Sequence, residues 1–316
     1  MVEMPTLPQI QRARQRISPC VKRTPLTASA TLSERLRTNV YVKLELFQKT
    51  GSFKVRGAFN KILTLKPEVR ERGVVAVSGG NHAQAVAYAA RSLGLRAVVL
   101  MPENTPRNYL DATREYGADI KFAADVRSAF AEVAAYERQG WAYIHPFDDP
   151  DVIAGQGTIG LEILEDVPQV TDIIVSIGGG GLIGGIATAV KSLKPAVRMW
   201  GVETEGADCM SKSLAADKIV TLDVITSVAR TLGAPAPSER TLQAARELLE
   251  SVTVVSDIEA LVAARFILER LKVLTEPAAS CTLAAADRLI DQFAPERHVV
   301  LVLCGGNMPP DDLALV

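Results

Sequence analysis

The sequence has few of the features that would assign it to a specialised class of protein. Its 316 residues include four cysteines, Cys20, Cys209, Cys281 and Cys304. Their wide spacing, with no C-x-x-C pair, argues against a disulfide framework or a zinc site. A formal net charge of −1 provides no general attraction to nucleic acid or to an anionic membrane. The first twenty residues lack the apolar core of a signal peptide, so we expect a cytoplasmic protein that binds neither nucleic acid nor membrane.

Long hydrophobic runs are also scarce, and the strongest candidate for a membrane span is interrupted. Residues 173–190 contain no charged side chain, and their number is close to that of a membrane-spanning helix. Six of these residues are glycine, four of them consecutive, which disfavours a continuous helix. We interpret this stretch as a buried strand, a turn and the start of a helix.

Apolar residues make up 48% of the chain, enough for a sizeable core. Short β-branched runs alternate with longer segments in which apolar residues recur at helical spacing. The predicted strands are 40–44, 74–77, 97–101, 119–122, 173–177, 199–203, 252–255 and 299–303, and the main predicted helices are 55–65, 81–93, 106–116 and 182–193. Near-continuous apolar strands joined by helices are typical of parallel sheets with helices on both faces, so the predicted fold class is α/β.

The predicted strands form two groups, before and after a loop at residues 145–151. No low-complexity linker separates the groups, and we expect the first fifty residues to pack with the second half of the chain. The predicted division is a large domain over residues 1–52 and 147–316 and a small domain over residues 53–146.

Lys54 follows a tight glycine-serine turn and opens a predicted helix. Its side chain would lie in the positive field of the free backbone N–H groups at the helix start. That field lowers the pKa of the amine, as a lysine that forms a Schiff base requires. Taken alone, however, the loop favours an ordinary surface lysine.

Two further loops each join a predicted strand to a predicted helix. In the first, residues 78–81, small residues expose N–H groups that suit a carboxylate. A plain turn with a helix cap is the alternative. The second loop, residues 176–184, contains four consecutive glycines, whose backbone can wrap around a phosphate at the N-terminus of the following helix.

The second loop also supports a rival function. Gly179, Gly181 and Gly184 match the G-x-G-x-x-G fingerprint of dinucleotide-binding proteins. Glu203 ends the next predicted strand, where an acid that binds the ribose is expected. Taken alone, this pattern indicates an NAD-type oxidoreductase. It leaves Lys54 unexplained.

Four motifs taken together decide between these interpretations. They are Lys-Thr-Gly-Ser-Phe-Lys-Val-Arg-Gly at 49–57, Ser-Gly-Gly-Asn-His at 78–82, Gly-Gly-Gly-Gly-Leu at 178–182 and Cys-Gly-Gly-Asn at 304–307. In order and spacing they resemble the fold type II pyridoxal-phosphate enzymes and, within these, the serine/threonine dehydratases (ammonia-lyases). The resemblance runs from about residue 24 to residue 307. It implies a two-domain α/β fold like that of the tryptophan synthase β-subunit and, from the habit of the family, a homodimer.

The resemblance implies a lyase that converts a small 3-hydroxy amino acid, such as threonine or serine, to a 2-keto acid and ammonia. Lys54 would carry pyridoxal 5'-phosphate as a Schiff base and then move the Cα proton, with Ser78 as a second catalytic residue. The cofactor-binding residues would be Phe53 against the ring, Lys54, Asn81 at the ring hydroxyl, Gly178, Gly179, Gly180, Gly181 and Leu182 at the phosphate, and Cys304 at the pyridine nitrogen. The substrate carboxylate would lie at Ser78, Gly79, Gly80, Asn81 and His82.

Gly79 departs from the pattern of the serine racemases of this family, which carry a serine at this position for the second face of Cα. Glycine has no side chain to donate a proton, which argues against the alternative of a serine racemase. We expect Gly79 to leave extra room near the substrate, so that a dehydratase for 3-phenylserine or 3-hydroxyaspartate is a further alternative.

A second departure concerns a loop that binds a cation in relatives. Glu203 and the Ala207 carbonyl match that loop, but Cys209 stands where relatives with a divalent ion carry an acid. The resemblance therefore implies a monovalent cation such as potassium. A solvated helix start is the alternative.

Overall fold

We describe the fold from a computed structural model, which covers residues 3–124 and 126–316. The described residues form ten strands: Leu26–Ala28 (β1), Asn39–Leu44 (β2), Val74–Val77 (β3), Ala97–Pro102 (β4), Asp119–Ala123 (β5), Ala142–Tyr143 (β6), Asp172–Ser176 (β7), Arg198–Thr204 (β8), Ser251–Val255 (β9) and His298–Leu303 (β10). They also form thirteen α-helices: Leu7–Ile17 (α1), Ala30–Leu36 (α2), Lys54–Thr64 (α3), Pro67–Arg72 (α4), Asn81–Ser92 (α5), Arg107–Glu115 (α6), Val126–Arg138 (α7), Pro150–Asp166 (α8), Gly181–Leu193 (α9), Cys209–Ala216 (α10), Glu239–Leu248 (α11), Asp257–Leu271 (α12) and Pro277–Arg288 (α13).

The larger sheet has six strands in the order β1-β2-β10-β7-β8-β9. All neighbours are parallel except β1, which runs antiparallel to β2. In register, Val299 of β10 lies opposite Val40 on one side and Asp172 on the other. The segment that contains β1 and β2 therefore forms one side of a sheet whose other strands come from the second half of the chain.

The smaller sheet has four parallel strands in the order β5-β4-β3-β6. All eight predicted strands are present, which confirms the α/β class. Two strands escaped prediction, β1 and β6. They have only three and two residues, too few for a repeating pattern to be visible in the sequence.

Each sheet has its own apolar core, and α8 contributes to both. Val152, near the start of α8, belongs to the core of the smaller sheet, whereas Ile159 and Ile163 belong to that of the larger sheet. Residues 173–190 form most of β7, the glycine loop and most of α9, as predicted. Among the described residues, no helix is both long and apolar enough to cross a membrane.

A buried cluster of charges, which we call the ion cluster, attaches α3 to the larger sheet and α8. Its members are Lys43, Glu45, Arg56 and Glu162, each at most 5% exposed. The Arg56 guanidinium donates through Nε to Glu45 Oε2 at 2.8 Å and through Nη1 to Glu162 Oε1 at 2.7 Å. Lys43 Nζ donates to Glu162 Oε2 at 2.6 Å. The positive charges of Lys43 and Arg56 thus balance the negative charges of Glu45 and Glu162. Arg56 follows Lys54 by two residues in α3.

Candidate active site

A cleft between the two sheets collects most of the predicted site residues. It is lined by Phe53, Lys54, Asn81, Phe147, Ser176, Gly178, Gly179, Gly180, Gly181, Leu182, Thr231, Leu232, Glu276, Ala278 and Cys304. Every residue predicted to bind the cofactor is in this set. The other predicted site residues are described by the structure but are not part of the cleft lining. They are Ser78, Gly79, Gly80, His82, Glu203, Ala207 and Cys209.

Backbone pairing holds the Lys54 loop against the Cys304 loop. Ser52 and Gly305 form an antiparallel bridge. The Phe53 N–H donates to the Cys304 carbonyl at 3.0 Å, and the Gly306 N–H donates to the Gly51 carbonyl at 3.0 Å. These bonds join segments that are about 250 residues apart, and they place the first residue of α3 beside the end of β10.

Lys54 is the first residue of α3, as the sequence predicts. Its Nζ donates to the Pro146 carbonyl at 2.8 Å and lies 5.2 Å from the centroid of the Phe53 ring. Desolvation lowers the pKa of Lys54 from its ordinary value of 10.5 to about 8, although Cys304 and Glu276 oppose the shift. Burial, more than the helix field that we invoked, prepares this amine to lose its proton near neutral pH.

The glycine loop passes from β7 into α9. Gly180 has a backbone φ of 90°, which residues other than glycine rarely adopt. The loop therefore delivers the N-terminus of α9, with its first free N–H groups, to the cleft. That arrangement suits an anion such as a phosphate.

Cys304 lies at the end of β10 beside Ser176, the last residue of β7. The Ser176 hydroxyl donates to Cys304 Sγ at 3.4 Å. Burial, with a smaller contribution from Glu276, raises the pKa of the Cys304 thiol to about 12. The group is therefore a neutral thiol at physiological pH, a weak hydrogen-bond partner for any ring nitrogen next to it.

The Ser78–His82 loop joins β3 to α5. Ser78 Oγ accepts from the Gly80 N–H at 3.1 Å. The His82 ring is buried, and its Nε2 donates to the Ile144 carbonyl, directly after β6, at 2.8 Å. Burial lowers the pKa of His82 to about 3, so the ring is neutral at physiological pH. Its hydrogen bond to Ile144 helps to hold the loop in place. What remains available to a carboxylate is the backbone at the start of α5 and the Ser78 hydroxyl hydrogen, since Ser78 Oγ acts as an acceptor toward Gly80.

The extra room expected beside Gly79 is not found. A Cβ atom at this position would lie 2.8 Å from Thr105 Oγ1 and 3.3 Å from Pro102 Cδ. Thr105 is held there because its hydroxyl donates to the Pro102 carbonyl at 2.7 Å. Sequence reasoning did not consider the loop after β4. That loop occupies the space in which a side chain at position 79 would lie.

Glu203 has a structural partner that the sequence did not reveal. Its carboxylate accepts from the Met210 and Ser211 N–H groups at 2.9 and 2.7 Å and so caps α10. Burial raises the pKa of Glu203 to about 8. Cys209 Sγ donates to the Gly178 carbonyl at 3.8 Å, which connects this helix start to the glycine loop. The helix start is buried and not solvated, and its capping role accounts for Glu203 without a ribose.

Six residues of the cleft received no site role from the sequence: Phe147, Ser176, Thr231, Leu232, Glu276 and Ala278. Ser176 begins the glycine loop, and the other five lie outside the glycine-rich loops. Glu276 carried the clearest signal, an acid directly before Pro277 at a helix start. It accepts from Asn81 Nδ2 at 2.8 Å.

Comparison with known proteins identifies the family to which the chain is similar. The profile of a family described as "Pyridoxal-phosphate dependent enzyme" matches residues 17–305. An L-threonine ammonia-lyase of Thermotoga maritima is 40% identical over 96% of this chain and 76% of its own length. A solved maize serine racemase is 36% identical, with a TM-score of 0.94 over 98% of this chain and 96% of its own. A solved serine racemase of Dictyostelium discoideum is 34% identical, with a TM-score of 0.90 over 96% and 99%.

Proposed function

The chain belongs to the pyridoxal-phosphate dependent enzymes, and from that premise we propose that it is a lyase that converts L-threonine to a 2-keto acid and ammonia. L-Serine is the second candidate substrate of the same reaction. The observation that carries the proposal is Lys54, an amine of lowered pKa enclosed between Phe53, the glycine loop and Cys304. Relatives named as threonine ammonia-lyases or dehydratases at 39–42% identity support the choice of threonine.

The residues of the cleft fit pyridoxal phosphate. The glycine loop and the start of α9 provide N–H groups for its phosphate, and Lys54 provides the amine to which it would attach. Asn81 would donate to the ring oxygen, Phe53 would pack on the ring, and the neutral Cys304 thiol would face the ring nitrogen. When bound, the cofactor withdraws electrons from the substrate Cα, so that the proton on that carbon can leave.

The protein's own groups would then orient the substrate and move protons. The N–H groups at the start of α5 and the Ser78 hydroxyl would bind the substrate carboxylate, with His82 supporting the loop. Lys54 Nζ would take the Cα proton, since its lowered pKa leaves part of it as the free amine at neutral pH. Gly79 presents no proton donor to the other face of Cα, which favours elimination over racemisation.

Four finer proposals concern the whole molecule. The domains are 1–52 with 147–316, and 53–146, since the strands of the two sheets divide in this way. A monovalent cation such as potassium binds near Glu203, the Ala207 carbonyl and Cys209. The chain forms a homodimer, for which the exposed Ile258 and Val262 of α12, at 73% and 56%, offer an apolar surface. The protein is cytoplasmic, in keeping with its four free cysteines.

The test is to purify the protein with pyridoxal phosphate and record its absorbance before and after adding L-threonine, L-serine, 3-phenylserine or 3-hydroxyaspartate. We expect a visible imine band that persists in Lys49→Ala and disappears in Lys54→Ala. We also expect keto-acid release to be fastest with L-threonine, without formation of D-amino acid. A band with no keto acid from any of the four substrates would leave the cofactor site standing and refute the reaction. Light scattering measures the molar mass in solution, with and without potassium. A mass of two chains supports the homodimer, and a change on adding potassium supports the cation site.

A further inference from the structure

Glu276 is a buried acid in the cleft to which the reaction above gives no role. It is 3% exposed and precedes α13. Its Oε1 accepts from Asn81 Nδ2. Its Oε2 is buried and has no partner within hydrogen-bonding geometry in the described part of the chain. The nearby Thr231 hydroxyl favours the ionised form of the carboxyl group but does not outweigh burial. An ionised carboxylate oxygen needs donors or a cation when it is buried, so this environment favours the protonated acid.

Glu276 also fixes the orientation of Asn81. Asn81 Oδ1 accepts from Asn307 Nδ2 at 2.8 Å, and the same Asn307 nitrogen donates to the Thr50 carbonyl at 2.7 Å. Turning the Asn81 amide over would place nitrogen against nitrogen at Asn307 and oxygen against oxygen at Glu276. One N–H of Asn81 therefore stays available for a ligand in the cleft, in a direction that Glu276 helps to set.

Among the described residues, the other titratable groups that face Glu276 and Lys54 are neutral at neutral pH. Burial raises the pKa of the Cys281, Cys304 and Tyr109 side chains, which face Glu276 from α13, the end of β10 and α6. Burial lowers the pKa of His82 and His145, which face Lys54 from α5 and the loop after β6, to about 3 and about 4. Burial also raises the pKa of Glu276 to about 7, against Thr231, Asn81 and Lys54. Within the cleft lining, Glu276 and Lys54 are thus the pair whose charges change near neutral pH.

We propose that Glu276 is a positioning residue, which orients the Asn81 amide through Oε1 and controls the basicity of Lys54 through the proton on Oε2. The inference deepens the proposed function, since it concerns the same cleft, but its contacts belong to the protein alone. Glu276 and Lys54 line the same cleft, where an ionised carboxylate would stabilise the ammonium form of Lys54. The protonated acid removes that stabilisation, so that Lys54 loses its proton more readily.

The first test uses the cofactor-free protein and needs no turnover. Glu276→Gln keeps an acceptor for Asn81 but cannot ionise. Acetylation by acetic anhydride between about pH 5 and 10, followed by peptide mass spectrometry with Lys49 as internal reference, reports the free-amine fraction of Lys54. We expect a lower apparent pKa of Lys54 in Glu276→Gln than in the wild type. Identical profiles would overturn the coupling.

Infrared difference spectra between the wild type and Glu276→Gln test the protonation itself. We expect the carbonyl band of a protonated acid at about pH 6, weakening by about pH 8 as Glu276 ionises. Absence of the band at the lower pH would overturn the proposal of a protonated Oε2.

A third measurement separates orientation from charge. We expect Glu276→Ala to weaken cofactor affinity about tenfold, the effect of one hydrogen bond lost at Asn81, and Glu276→Gln to stay within about twofold of the wild type. Equal affinities in the two variants would overturn the positioning role. If these outcomes hold while L-threonine gives no keto acid, the reaction is refuted and the role of Glu276 survives.

Discussion

Two buried polar regions lie beside α3, and they differ in how completely their groups are paired. In the ion cluster, each carboxylate contacts at least one cation, and Arg56 reaches both Glu45 and Glu162. In the cleft, Lys54 donates only to a backbone carbonyl among the described residues, and Glu276 keeps one oxygen without a hydrogen bond. The first residue of α3 faces the cleft, and the third faces the ion cluster.

The difference appears in the proton affinities. Burial alone would raise the pKa of Glu162, but Arg56 and Lys43 together lower it. Without such a partner, burial raises the pKa of Glu276 to about 7. A fully paired cluster holds its charges fixed and so can anchor a helix. An incompletely paired one keeps groups that exchange protons near neutral pH, as acid–base chemistry requires.

The largest expected effect comes from unpairing the ion cluster. Arg56→Leu would leave Glu45 and Glu162 with Lys43 as their only cation within the cluster, and we expect it to destabilise the protein by about 3–5 kcal/mol. Urea unfolding measures the change. The matched control is Arg14→Leu, which removes a pair with Glu165 whose side chains are 40% and 44% exposed and should cost less than about 1 kcal/mol. Equal losses in the two variants would contradict the distinction between the regions.

The opposite effect is expected in the cleft. Lys54→Met in the cofactor-free protein should increase stability by on the order of 2 kcal/mol at pH 7, because it removes a poorly solvated amine. Since the folded-state pKa of Lys54 is about 8 and its ordinary value is 10.5, the unfolded wild type binds more protons between these pH values. Wild-type stability should therefore rise through this window, and the advantage of Lys54→Met should shrink. An advantage that is independent of pH, in unfolding measured across the window, would argue against the lowered pKa.

The smallest expected effect tests how closely the cleft wall is packed. Gly79→Ala should cost about 1 kcal/mol, because its Cβ would meet Thr105 Oγ1 at 2.8 Å. Adding Thr105→Ala should recover most of that loss. Gly80→Ala is the control, since its Cβ would approach Thr231 Cγ2 only to 3.4 Å. If thermal unfolding shows no recovery in the double variant, the steric explanation fails.

Local sequence patterns predicted much of this protein. The eight longer strands were visible as β-branched runs, and the Lys54 loop and the glycine loop were visible as small-residue turns before helices. Phe53, Asn81 and Cys304 were assigned through the family resemblance, because each lies in one of the four motifs that carry it. Each of these signals is confined to a few consecutive residues, so it can be read without knowing how the chain folds back on itself.

The sequence by itself determined the fold class and the family, and it led to the proposal that Lys54 carries the cofactor. Only the tertiary structure decided what surrounds that lysine. Glu276 meets Asn81 across 195 positions of the chain, and Arg56 meets Glu162 across 106. Partners this distant leave no periodic trace in the sequence. Whether a buried acid is paired or unpaired therefore depends on which segments the two sheets and α8 bring together.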